Sequence, residues 1–108
     1  MTLNLPKPIA AYFAADTSDP DAVSQSFTEN AVVEDEGHVY QGRAAIKRWK
    51  TETAAKYQYT SEPFALEHQS GKAIVTSRLT GNFPGSPVDL RFFFELDGDK
   101  IASLEIIP

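Results

Sequence analysis

The chain has 108 residues, no cysteine, and 15 acidic against 10 basic side chains, for a formal charge of -5. That length makes one domain, residues 1–108, able to bury about two-thirds of its unfolded surface without disulfide or zinc staples. The acidic balance excludes a nucleic-acid partner, which needs a basic face; no apolar run approaches the ~20 residues of a membrane span, and Met1 to Pro6 has neither the basic start nor the apolar stretch of a signal peptide, so the expected setting is the cytoplasm.

Residues 1–5 read as a loose arm. Pro6 and Pro8 suit the start of a helix, where a missing N–H is not needed. Ile9, Tyr12, Phe13 and Asp16 then recur at helical spacing, the first three forming an apolar stripe. Thr17-Ser18-Asp19 is turn and cap chemistry and Pro20 a natural first helical position. A short second helix puts Val23 and Phe27 on its inner face, and Thr28-Glu29-Asn30 breaks it. A short strand, Ala31 to Val33, runs into three acids, Glu34, Asp35 and Glu36. Alternation places Val33 and Asp35 on one face and Val32, Glu34 and Glu36 on the other. One carboxylate is therefore drawn toward whatever the sheet covers. Held against apolar surface it is costly as an ion, which makes it a candidate proton acceptor.

Gly42 opens a third helix over 43–56, with Ala45, Ile46 and Trp49 as its stripe and Arg43, Lys47, Lys50 and Glu52 on its wet side. From Tyr57 the period changes to that of a strand. Tyr57, Tyr59 and Ser61 alternate, Pro63 marks a bulge or an edge, and Phe64, Leu66 and His68 share one parity. Ser70-Gly71 is a hairpin turn. Lys72 to Phe83 places Val75, Leu79 and Phe83 on one face, and Pro84 to Pro87 is the next turn. Val88 to Leu96 is the most apolar strand, with Leu90, Phe92, Phe94 and Leu96 on one face and Arg91, Phe93 and Glu95 on the reverse. Asp97-Gly98 is the strongest hairpin signal, and Ile101 to Ile107 is the last strand. Helices followed by an antiparallel meander make an α+β domain with helices on one face of a curved sheet. Phe93 and Ile106 leave the second sheet face partly apolar, so a homodimer through the sheet is expected.

Several of these segments resemble one family. Tyr12-Phe-Ala-Ala15, Asp19-Pro-Asp21 and Phe27 to Asp35 resemble the first two helices and first strand of the nuclear transport factor 2-like superfamily, which includes ketosteroid isomerases and SnoaL-like polyketide cyclases. Gly42-Arg-Ala-Ala-Ile46 and Asp97-Gly-Asp-Lys-Ile101 resemble its third-helix start and its last turn. The resemblance implies a cystatin-like cone: three N-terminal helices packed on a curved, mainly antiparallel sheet around an apolar pocket, as one SnoaL-like domain. In ketosteroid isomerase a first-helix tyrosine binds the substrate oxyanion and an aspartate ending the first strand moves the proton. Tyr12 and Asp35 fall at the matching places. Where a second, protonated acid joins the tyrosine, this chain has Phe92, which cannot donate. A steroid isomerase is therefore not the first expectation.

The expected activity is a cofactor-independent isomerisation, cyclisation or dehydration of a small apolar carbonyl compound. Asp35 would be the general base and Tyr12 the oxyanion donor. Phe27, Trp49, Tyr59, Phe64, His68, Phe92 and Phe94 are candidate pocket walls, although the same aromatic residues serve equally as core. His38 reads as a loop histidine or a proton shuttle. Arg78 and Arg91 read as partners of sheet acids or as ligand or dimer anchors. Two histidines without ligand spacing argue against a metal, and no nucleophile elbow or phosphate loop is present. The alternative is a non-catalytic ligand-binding or dimerisation module of the same fold, which would leave Asp35 in solvent. A weaker third reading has Asp35 activate a water together with Arg78 or His68.

Overall fold

The computed structural model describes residues 3–16 and 18–108. Met1 and Thr2 of the N-terminal arm and Thr17 of the first turn lie outside the described residues. The chain runs α1 (Lys7–Ala15), α2 (Pro20–Gln25), β1 (Phe27–Asp35), β2 (His38–Gln41), α3 (Arg43–Lys56), β3 (Tyr59–Gln69), β4 (Lys72–Gly81), β5 (Val88–Asp97) and β6 (Lys100–Ile107). Six strands form one sheet in the order β2-β1-β6-β5-β4-β3. Every pairing is antiparallel except β1 with β6, which lie parallel. The architecture is α+β, with the helices on one face of the sheet.

Local chemistry explains the elements. Asp19 caps α2 by accepting from the Ala22 N–H at 3.1 Å, with Pro20 in the first turn. Gly42 turns the chain into α3 at φ +88, a conformation a side chain resists, while its N–H donates to the Ala31 carbonyl at 2.8 Å. Register partners share a face, so Val75 opposite Phe92 and Phe94 opposite Leu104 put these four side chains on the inner face. Ile9 and Tyr12 of α1 and Ile46 of α3 meet them there, all three fully buried. Each such side chain contributes about 1.5–3 kcal/mol on burial.

Five sequence expectations are corrected. Phe27 is not on the second helix: α2 stops at Gln25, and Phe27 is the first, fully buried residue of β1, its carbonyl accepting from Arg43 Nε at 2.9 Å. The polar run Thr28 to Asn30 therefore continues a strand rather than breaking a helix, with the register against β6 shifting across it. His38 to Gln41, read only as a tail behind the acids, is a strand; the two-residue turn Glu36-Gly37, φ 53 and 78, folds it back on β1. Ile106 pairs with Phe92 and so lies on the inner face, not on the second one. Lys50, placed on the wet side of its helix, is 3% exposed; it completes a buried stripe with Ile46 and Trp49 at i+3 and i+4.

Candidate functional site

The helices leave one end of the inner face uncovered. There a cleft of about 870 Å³ opens between α1, α3, the β1–β2 turn, the start of β3 and the β4–β5 connection. Its polar end carries Tyr12, Asp16, Asp35, Trp49, Lys50 and Tyr59. Its apolar wall carries Leu79, Phe83, Val88, Leu90, Phe92 and Ile106. That volume falls in the range of small-molecule sites.

Asp35 is the last residue of β1 and its parallel register partner is Ile106. It is half-buried, whereas Glu34 and Glu36 on either side are exposed. Trp49 donates its indole N–H to Asp35 Oδ2 at 3.1 Å. Burial raises the Asp35 carboxyl above its ordinary range. The Trp49 bond works against this, Glu36 adds to it, Lys50 opposes it and Asp16 adds to it. The net direction is up, toward a carboxylate that holds a proton more tightly and accepts one more readily. Trp49 is held in turn by Tyr40 of β2, whose ring stacks on it at 5.8 Å and 28°. The strand that the sequence hid thus orients the donor that orients the acid.

A second polar cluster lies deeper. Lys50 Nζ donates to Asp16 Oδ1 and, at 3.0 Å, to the Tyr59 hydroxyl, while that hydroxyl donates to Asp16 Oδ1 at 3.3 Å. Lysine and aspartate side chains are 4% and 2% exposed. Burial pulls the Lys50 ammonium down, but Asp16 and then Tyr59 more than reverse it and hold the group above the usual lysine value. Lys50 is a cation. Its Nζ also stands 4.7 Å from the Trp49 ring centroid and 5.7 Å from that of Tyr12, distances of cation–π contact. Tyr12 is fully buried, and burial, then Asp16, Tyr59 and Asp35, push its hydroxyl well above the ordinary phenol value, so it stays protonated.

The structure brings Asp35, Tyr12, Trp49, Tyr59 and Phe92 together on the cleft. Four other candidates are not on it. Phe27 and Phe94 are fully buried in the core. Phe64 is 51% exposed: the register of β3 shifts between Pro63 and Ala65, and the extra residue leaves Phe64 against the Arg78 guanidinium, 5.7 Å away on the outer face. His68 keeps the inner parity opposite Ala73 but is exposed near the end of β3. Arg78 pairs with Asp89 at 2.9 Å in solvent, and Arg91 donates to the Pro108 carbonyl at 3.2 Å. Neither Arg78 nor His68 reaches Asp35, so the shared-water reading does not hold. His38 is exposed at the cleft rim.

Sequence reasoning missed Asp16, Lys50 and Tyr40. For Asp16 the signal was present, since it lies in the helical row of Ile9 and Tyr12. Among the described residues, no three His, Cys, Asp or Glu gather as a metal site, and no helix is long and apolar enough to cross a membrane.

The model of the SnoaL-like domain family matches residues 9–104. No curated protein matches the chain. Among solved structures, a candidate polyketide cyclase from Sinorhizobium meliloti is 42% identical over 95% of both chains, with a TM-score of 0.90. A protein with a ketosteroid isomerase-like fold from Catenulispora acidiphila is 20% identical over 97% of this chain and 87% of its own, at 0.86. The epoxide hydrolase/cyclase-like enzyme SalBIII of pyran ring formation in salinomycin is 25% identical over 93% and 86%, at 0.79.

Proposed function

The chain belongs to the SnoaL-like domain family, and from that premise we propose that it is a cofactor-independent enzyme of proton transfer on a small apolar carbonyl compound, an isomerase, cyclase or dehydratase, with Asp35 as the general base. One observation carries the reading. Three acids follow one another and two of them, Asp35 and Glu36, line the cleft, but Asp35 alone is drawn half out of solvent, with an indole N–H fixing one oxygen. The Trp49 bond occupies Oδ2 and orients the carboxylate, so Oδ1 is the natural acceptor for a substrate proton. A non-catalytic module would leave Asp35 in solvent, and its partial burial speaks against that alternative. The 42% identity to a candidate polyketide cyclase favours cyclisation within the reaction class.

The substrate's apolar body would lie along Leu79, Leu90 and Ile106, with its carbonyl at the polar end. Asp35 takes the α-proton, the C–H electron pair becomes the enolate double bond, and the carbonyl oxygen takes the negative charge. Tyr12, kept protonated by burial, donates to that oxygen. In an aldol cyclisation the enolate carbon then attacks a second carbonyl of the same molecule, and the new alkoxide recovers the proton from Asp35. Loss of water from that product would give the dehydratase outcome.

The test is α-deuterium exchange and turnover over a panel of ketones and 1,3-dicarbonyls. Asp35→Asn is expected to lower the rate by at least 100-fold, as loss of a general base does. Unchanged exchange in the folded variant would remove Asp35 from the chemistry.

A further inference from the structure

Tyr12 gives the developing oxyanion one donor, and Phe92, beside it on the cleft at 6.2 Å between ring centroids, gives none. Deep in the same cleft lies a buried cation that the mechanism so far leaves unused. Lys50 has three ammonium protons. Asp16 and Tyr59 take two of them and fix the group, and Lys50 lines the cleft with Tyr12 and Tyr59. Nζ stands 4.7 Å from the ring of Trp49, and Trp49 holds Asp35. One side chain thus separates the cation from the base.

Resting on the proton-transfer reading above, we propose that Lys50 is a second oxyanion donor, its third ammonium proton binding the substrate's carbonyl oxygen while Asp35 takes the α-proton. In this step the C–H bond breaks, its proton goes to Asp35 and its electron pair forms the C=C bond. The carbonyl π pair moves to oxygen, and Lys50 stays an ammonium throughout. The ligand class follows: an enolisable carbonyl compound, or a phenol that mimics its enolate, with an apolar body.

Stability alone is a poor account of this lysine. A buried ion pair costs so much desolvation that well-packed apolar residues usually replace it without loss. A charge shielded from water instead acts strongly on charge that develops beside it. Asp16 and Tyr59 are positioning residues in this account: they hold the ammonium where flexible lysine would otherwise wander, and Asp16 keeps it protonated.

The probe is 4-nitrophenol, whose visible spectrum separates the bound phenolate from the bound phenol. Asp35→Asn serves as the parent, its neutral amide standing for the protonated base. The parent is expected to bind the phenolate. Adding Asp16→Asn and Lys50→Met together removes the cation without stranding Asp16, and is expected to weaken phenolate binding about 100-fold, the usual effect of one oxyanion donor. If that folded protein binds the phenolate within twofold of the parent, the assignment is overturned. Should the triple variant not fold, the lysine ¹⁵Nζ resonance of the parent gives the answer: 4-nitrophenol is expected to shift the Lys50 signal, and an unmoved signal at saturation overturns the assignment. The two readings fail separately. Phenolate binding through Lys50 without any ketone exchange by the unaltered protein would sink the Asp35 base alone, while exchange with phenolate binding indifferent to Lys50 would sink only the present proposal.

Discussion

Ionised Asp35 opposes folding, and the sign of that effect is testable. Its folded-state pKa is raised, chiefly by burial, so between the ordinary carboxylate value and the raised one the native chain binds more protons than the unfolded chain. Stability then falls as pH rises through that window, and the full cost is present above it. Asp35→Asn carries no charge and still offers an oxygen to the Trp49 N–H. It is expected to melt above the unaltered protein at neutral pH, the gap closing as pH drops below the ordinary carboxylate range. Thermal melts across pH check this, and a variant that melts lower at every pH contradicts it. Trp49→Phe removes the one hydrogen bond that holds the Asp35 pKa down. The acidic limb of the pH–rate profile should move to higher pH, with a stability loss of about 1.5–3 kcal/mol for a bond to a charged acceptor. A limb that stays in place would mean that the indole does not tune the base.

Elements carry these residues, and one contact shows how tightly. A Cβ placed on Gly81, at the end of β4, would lie 2.3 Å from the Gln58 carbonyl oxygen and 2.6 Å from Tyr59 Cβ. Backbone must move to admit it. Gly81→Ala is expected to cost about 1–3 kcal/mol by denaturant titration and to shift Tyr59 away from Lys50; an unchanged midpoint would show that β3 yields freely there. Such pairings also mark where the sequence was readable. The bounds of α3 were legible from an uninterrupted stripe between Gly42 and Lys56, and β5 from strict alternation of Leu90, Phe92 and Phe94. β2 was not, because four residues with one half-buried side chain have no period of their own and exist as a strand only against β1. Pro63 announced a bulge, but sequence could not say that Phe64 would be the residue turned out. Lys50 read as wet because a lysine is almost never buried unpaired; its counter-ion arrives from the C-cap of α1, 34 positions away in sequence.

At the scale of the molecule, the parallel pairing of β1 with β6 joins the first strand to the last. It places Asp35 opposite Ile106, at the one end of the inner face that the helices leave open. The helices serve only that face. On the reverse, Ile74 opposite Phe93 and Thr76 opposite Arg91 run up to the Arg78–Asp89 pair, and the exposed ring of Phe64 lies against the Arg78 guanidinium. A second copy of the chain is the proposed cover, since an apolar strip rimmed by paired charges suits a self-complementary two-fold contact. The expected solution mass is twice the 11.9 kDa of the chain, and Phe93→Lys is expected to halve it by setting like charges across the two-fold axis. A monomeric mass for the unaltered chain at micromolar concentration would refute the dimer. Because the cleft is lined from the inner parity and Phe93 points from the outer one, the monomeric variant should keep its full deuterium exchange per chain. Lost exchange would instead mean that the sheet's curvature, and with it the placement of Asp35 against Trp49, depends on the second copy.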